Sequence, residues 1–307
     1  MLVALQGAIS QGVLWGIMVL GVFITFRLLD IADMTCDGSF ALGGCVVAVL
    51  IVNFHVDPAL AILAGMVAGG IAGAVTGFLT TVFEIPAILA GILTQISLWS
   101  INLRIMGKSN TPLLASSTIF SEISRLTGLP QSTVAIVFGV IIAAVIVWLL
   151  YWFFGTEIGS ALRATGNNEH MVRALGVNTN KTKMIALILS NALIGLSGGL
   201  ICESQKYADI GMGTGAIVIG LAAIVIGEVL GRLLPGGLSK FGTRLLSAIV
   251  GSIVYFLIRA IVLQLGMDAN DMKLLSAIIV AIALCVPVVW ERYKLRSSYS
   301  RGDEADA

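Results

Sequence analysis

Charge inside apolar sequence is the rarest chemical resource of this chain, and it falls at a few places only. Glu203, Glu228 and Arg259 lie within long hydrophobic stretches, where an ionisable group is costly to keep and is therefore a functional candidate. Glu228 stands one helical turn before Arg232, the spacing of an i,i+4 pair whose long side chains reach the membrane surface. Glu203 and Arg259 lie toward the ends of their stretches, which leaves two readings open: a structural pair or a gate for a solute. Gln95, Asn102 and Asn191 are uncharged and suit helix–helix hydrogen bonds. Asp30, Asp33 and Asp37 cluster ahead of another apolar run, and Asp37 is placed to cap its first turn. His55 and His170 fall at opposite membrane faces and cannot act together. Cys36, Cys45, Cys202 and Cys285 lack paired spacing and read as buried free thiols, with neither a disulfide framework nor a metal site expected. No hydrolytic or redox constellation emerges, so the chain is not expected to be an enzyme.

The elements that carry these groups are dictated by composition. Of 307 residues, 58% are hydrophobic and 11% charged, against about 25% charged in soluble domains. That identifies an all-α polytopic membrane protein. The alternating strands of about ten residues that a membrane barrel requires are missing from the pattern. Spans of roughly 8–29, 38–54, 59–83, 85–105, 133–154, 183–205, 213–234, 242–265 and 274–290 approach the ~20 residues needed to cross a bilayer. This is about nine helices, within a range of eight to ten. The second is short and the fourth carries Gln95, Asn102 and Arg104, so both are candidates for broken or re-entrant helices. The first apolar run lacks a basic segment before it and is long enough to span, so a cleaved signal peptide is not expected.

Basic residues set the orientation. If 156–182 faces the cytoplasm, that side holds Arg27, Arg163, Arg173, Lys181, Lys183, Arg232, Lys240, Arg244, Arg292, Lys294, Arg296 and Arg301. The other side holds Arg104, Lys108, Arg125, Lys206 and Lys273. The imbalance makes the 156–182 segment and the C-terminus cytoplasmic, with nine spans leaving the N-terminus outside. Trp148, Tyr151, Trp152, Trp290 and Tyr293 stand at span ends, where aromatic belts form. Residues 1–296 read as one transmembrane unit and 297–307 as a disordered cytoplasmic tail. A net charge of +1 makes no case for nucleic acid.

Two further patterns stand out. Gly65, Gly69, Gly73 and Gly77 recur every fourth residue of the third span, a shallow stripe that lets helix backbones approach closely. The polar segment "TEIGSALRATGNNEHMVRALGVNTNKTK" is punctuated as helix, bend, short helix, stop. Gly166 breaks the first helix, a second runs over about 168–175, Gly176 closes it, and Asn178 or Thr179 caps the next span. Such shaping suits either an amphipathic element lying on acidic lipid or a knob that docks a cytoplasmic partner.

The ordered set of segments resembles the permeases of bacterial ABC importers, in the branched-chain amino acid and ribose permease group. Gly159, Ala161, Arg163 and Ala164 match that group's Gly-x-Ala-x-Arg-Ala run, and Ala174, Gly176, Val177 and Asn178, spaced here as Ala-x-Gly-Val-Asn, are similar to the Ala, Gly, Val and Asn residues of the run that follows. Gly195, Gly198 and Gly199 match its small-residue patch, and "DMTCDGSFALGGCVVAVL", "EIPAILAGILTQ" and "GTGAIVIGLAAIVIGEVL" are similar to its other segments in consistent order. The ending Gly227-Glu228, with "CDGSF", is similar to permeases of aromatic amino acid uptake.

The resemblance implies a permease domain over 1–296 in the bacterial inner membrane, whose loop 156–182 is a coupling helix seated on a separate ATPase subunit. The coupling residues would be Gly159, Ala161, Arg163, Ala164, Gly166, Arg173, Ala174, Leu175, Gly176 and Val177. ATP and magnesium would reside on that partner and no cofactor on this chain; the phosphate-loop motif is absent from the sequence. It also implies an extracytoplasmic binding protein and a second permease copy, with a small polar solute, an amino acid first and a sugar or nucleoside second. By motif position, Ser39, Phe40, Gln95 and Asn191 would line the path. The competing classes are a stand-alone carrier or channel, against which the lack of an internal repeat and of midplane acids weighs, and a membrane scaffold.

Overall fold

The computed structural model describes residues 2–114, 116–233 and 240–266, with isolated positions between 271 and 285. In chain order the elements are α1 (Leu2–Val22), prolonged by a π-helical turn over Phe23–Leu28, then α2 (Thr35–Val52), α3 (Pro58–Thr81) and α4 (Ala87–Met106). Strand β1 (Asn110–Pro112) precedes α5 (Ile119–Thr127) and α6 (Gln131–Gly155). The polar segment forms α7 (Glu157–Asn167) and α8 (Glu169–Ala174). Helix α9 (Thr179–Gln205), strand β2 (Tyr207–Asp209), α10 (Ala216–Leu233) and α11 (Phe241–Gln264) follow.

Seven helices among the described residues are long and apolar enough to cross a membrane. They correspond to the first six expected spans and the eighth. Segment 213–234 is the 18-residue helix α10. The 274–290 span and the 297–307 tail lie largely or wholly outside the described residues. Among the described residues the one departure from helices is a short antiparallel ribbon, in which Asn110 pairs with Asp209 and Pro112 with Tyr207.

Helix α9 is the hub, and small residues explain how α1, α2 and α3 crowd around it. A Cβ at Gly73 would stand 2.3 Å from the Leu187 carbonyl oxygen, and one at Gly69 equally close to that of Asn191. Gly65 and Gly77 meet Gly43 and Met184, so the whole stripe of α3 lies against neighbours of the same chain. Helix α2 runs parallel to α9, with Gly43 against Gly195 and Val47 against Gly199. Serine hydroxyls lace α1 to its neighbours: Ser190, Ser197 and Ser252 donate to the carbonyls of Gly21, Leu14 and Gly12, each at 2.8 Å. In a bilayer, where apolar contact alone gives little net attraction between helices, close approach and such bonds supply the cohesion.

The chain that links α1 to α2 departs from a simple hairpin. Leu28 ends at the level of α7, yet Asp33 already meets Asn191, near the midpoint of α9. Helix α2 therefore starts inside the bundle, which accounts for the shortness of the second span. Asp37 does not cap α2, whose N-cap is Met34. Its carboxylate instead accepts from Gly215 N at 2.9 Å and Ile217 N at 3.0 Å, capping α10 across the bundle. Asp33 takes the local role, accepting from Thr35 N at 2.9 Å. Both helices thus begin at the same buried place.

Candidate functional site

Two regions at opposite ends of the bundle collect the candidate residues. The first is the polar segment. Thr156 caps α7, its hydroxyl accepting from Gly159 N, and Asn168 Oδ1 caps α8 through Met171 N at 3.0 Å. Gly176 takes a left-handed φ of +86°, and Asn178 Oδ1 caps α9 at Lys181 N. Gly166 does not break the helix, contrary to expectation: α7 runs through to Asn167. The glycine is needed because α7 crosses the end of the first span, where a Cβ would stand 1.8 Å from the Leu28 carbonyl oxygen.

Gly159, Leu162 and Thr165 form the buried face of α7, and Thr165 Oγ1 meets Thr182 Oγ1 at 3.1 Å. Arg163 is half-buried, its guanidinium 5.3 Å from the ring centre of Phe241. Ala161, Ala164 and Val177 are half-buried as well, whereas Arg173, Ala174, Leu175 and Gly176 are exposed. Met171 and Leu175 are the apolar crown of this projection, 52% and 73% exposed. Glu169 ties it down, accepting from Lys183 Nζ at 2.6 Å, Arg173 Nη2 at 3.0 Å and Thr179 Oγ1 at 3.1 Å. These cations, Lys183 first, hold the Glu169 carboxyl below the usual carboxylate range.

At the same end, Glu228 grips Arg27 with both oxygens, Nε donating to Oε1 at 2.6 Å and Nη2 to Oε2. Besides Arg232, one turn away in sequence, the π-helical turn brings Arg27 across to Glu228 from the first span. This pair joins α1 and α10 beside α7.

The second region is a cavity of about 560 Å³ at the end remote from α7 and α8. Trp15, Phe40, Tyr207, Thr214, Phe256 and Arg259 are among its lining residues. Trp15 stacks at 4.7 Å on Phe40 and at 5.4 Å on Phe256, making one continuous aromatic wall. Glu203 and Arg259 do not pair. Glu203 is fully buried and accepts from Ile119 N at 2.8 Å, whereas the Arg259 guanidinium lies 5.7 Å from the Phe256 ring centre.

Of the four expected path residues, Phe40 lines this cavity. Ser39 and Asn191 sit in a buried network: Ser39 Oγ donates to Asn191 Oδ1 and Asn191 Nδ2 to Asp33 Oδ2, both at 2.7 Å. Gln95 borders a separate crevice with Asp37, Trp99 and Thr214. Trp15 and Phe256 were missed, because nothing in an apolar span tells a wall residue from a core one. Thr35, Thr76 and Thr94, whose hydroxyls form a buried chain at 2.7 and 2.9 Å, were missed for the same reason.

Comparison with known proteins supports the same reading. The chain is 37% identical over 272 residues to the tyrosine transport system permease protein of Clostridioides difficile, covering 88% of this chain and 87% of that one. It is 27% identical to the ribose import permease protein RbsC of Escherichia coli, over 83% and 76% of the two chains. Identity is 25% to the branched-chain amino acid transport permease protein LivH assigned in Methanocaldococcus jannaschii, over 94% of each. No solved structure matches. The family described as branched-chain amino acid transport system, permease component, matches residues 4–284. With nearly the whole helical bundle inside that match, this multi-pass chain belongs to that family of ABC-transporter permeases, as a non-catalytic transport subunit whose ATP is bound by a separate ATPase.

Proposed function

We propose that this chain is the permease of an inner-membrane amino acid importer, with α7 and α8 as the element through which a cytoplasmic ATPase subunit moves the bundle. The observation that carries the reading is the projection itself. It is capped at each of its three helix starts, braced on α9 by Glu169, and crowned by exposed Met171 and Leu175. An apolar crown on a rigid base suits a protein groove, and rigid coupling is what transmits a partner's movement. Gly159, Ala161, Arg163, Ala164 and Gly166 serve as its base, and Arg173 through Val177 as its docking surface. The charge asymmetry of the loops favours a cytoplasmic position for it. Amino acid is favoured over sugar by the 37% identity to a tyrosine transport permease, against 27% to a ribose permease. An extracytoplasmic binding protein delivers the solute at the cavity end, and a second copy of this chain completes the path.

The test is a double substitution, Met171→Glu with Leu175→Glu, in the tagged full chain. Co-purification of a P-loop ATPase with the wild type, and its loss by at least about tenfold in the variant, supports the docking reading. Retention of the ATPase and of L-tyrosine uptake by the inserted variant overturns it. A folded wild-type chain that brings down no ATPase overturns the importer reading as a whole.

A further inference from the structure

Arg259 is held in a way that a structural cation is not. It lies in the apolar helix α11, five residues before the end of that helix, and lines the cavity at the bundle end remote from α7. Among the described residues no carboxylate stands within ion-pair distance of it, and its one close partner is the face of Phe256, at 5.7 Å. Stacking on a ring fixes the guanidinium plane and leaves its edge donors for something else. The described residues around the cavity include no acid. Arg259 is the one charged side chain among the described lining residues, Trp15 backed by Phe40 and Phe256 bounds one side, and about 560 Å³ is large enough for a small organic solute.

We propose that this cavity is a solute subsite for an α-amino acid with a bulky apolar or aromatic side chain, its carboxylate received by Arg259. A planar carboxylate matches the guanidinium edge in two parallel hydrogen bonds. The side chain packs by offset or tilted ring contact on Trp15, which the buried rings of Phe40 and Phe256 hold in place. Gln11, Gln205 and Thr214, all on the lining, offer side-chain oxygens to the ammonium. A sugar carries no charge to set against Arg259, which has no carboxylate partner among the described residues. The proposal rests on the amino acid reading given above and assigns the residues that would enforce it.

The experiment uses the purified full chain in nanodiscs and saturation-transfer NMR with three probes: L-tyrosine, tyramine and D-ribose. Tyramine keeps the ring and the ammonium and lacks only the carboxylate. L-Tyrosine is expected to bind at least about tenfold more tightly than tyramine, the usual loss when a charged hydrogen-bond partner is removed. Arg259→Gln is expected to bring L-tyrosine down to the tyramine level, and Arg259→Lys to restore part of the difference. Equal binding of L-tyrosine and tyramine by the wild type overturns the proposal without depending on any variant's folding. Preferred binding of D-ribose overturns it together with the amino acid reading. ATPase co-purification is scored separately: its presence with equal tyrosine and tyramine binding removes this subsite and leaves the importer standing.

Discussion

At the residue scale, buried polar groups in this chain are spent on joining elements that sequence order keeps apart. Asp37 lies in the first turn of α2 and caps α10, accepting from both Gly215 N and Ile217 N. An asparagine has one side-chain oxygen and can serve only one of those donors as well. Asp37→Asn is therefore expected to cost about 1 kcal/mol and Asp37→Leu about 2 kcal/mol, in the range of lost caps, read as lowered thermal stability of the purified protein. Glu169 shows the same economy at the surface. Its carboxyl is held below the usual range by Lys183, so its ionised form favours the folded state. That contribution is complete above about 4.5 and is lost as pH falls through the lowered value. The melting temperature of the wild type should consequently fall more steeply below that pH than that of Glu169→Gln, with the two curves converging in acid.

At the scale of elements, the spacing between backbones decides which glycines matter. Gly73 and Gly70 are neighbours on the same helix, yet their surroundings differ. A Cβ at Gly73 meets a carbonyl oxygen at 2.3 Å, while one at Gly70 meets the Ala192 Cβ at an ordinary 3.5 Å. Gly73→Leu should destabilise the bundle by about 3 kcal/mol or prevent its assembly, whereas Gly70→Ala should be neutral or mildly stabilising. Comparing the yields of monodisperse protein and the melting temperatures checks both. Helix α7 adds a related case: Gly166 is fixed by a crossing with Leu28 rather than by its backbone freedom, so any side chain there is expected to push the projection away from the bundle.

At the scale of the whole molecule, helices α9 and α11 carry the chain from the end with α7 and α8 to the end with the cavity, and α1 carries it in the reverse sense. If the first end is cytoplasmic, α5 and the β ribbon face outside, since Ile119 N bonds Glu203 near the C-terminal end of α9. Single cysteines at Leu126 and Leu175, both strongly exposed, give a direct reading once Cys285, which is exposed too, has been replaced by serine. An impermeant maleimide applied to intact cells should label position 126, and should reach position 175 only after permeabilisation. The opposite pattern would invert the whole molecule in the membrane.

The amino-acid sequence by itself determined the membrane class, most of the long spans, the stop at Gly176, the cap at Asn178 and the glycine stripe, because each of these follows from local composition or from a periodicity within one helix. It also singled out Arg259 and Glu228 as costly charges. Only the tertiary structure decided their partners. Arg27 reaches Glu228 through a π-helical turn that no local pattern announces, Asp37 caps a helix that begins 179 residues later in the chain, and Arg259 turns to a ring and a cavity instead of to Glu203. In an apolar span nearly every side chain suits a buried place, so the sequence cannot rank one neighbour over another. The choice is made by helix depth, register and crossing, which exist only once the bundle has closed.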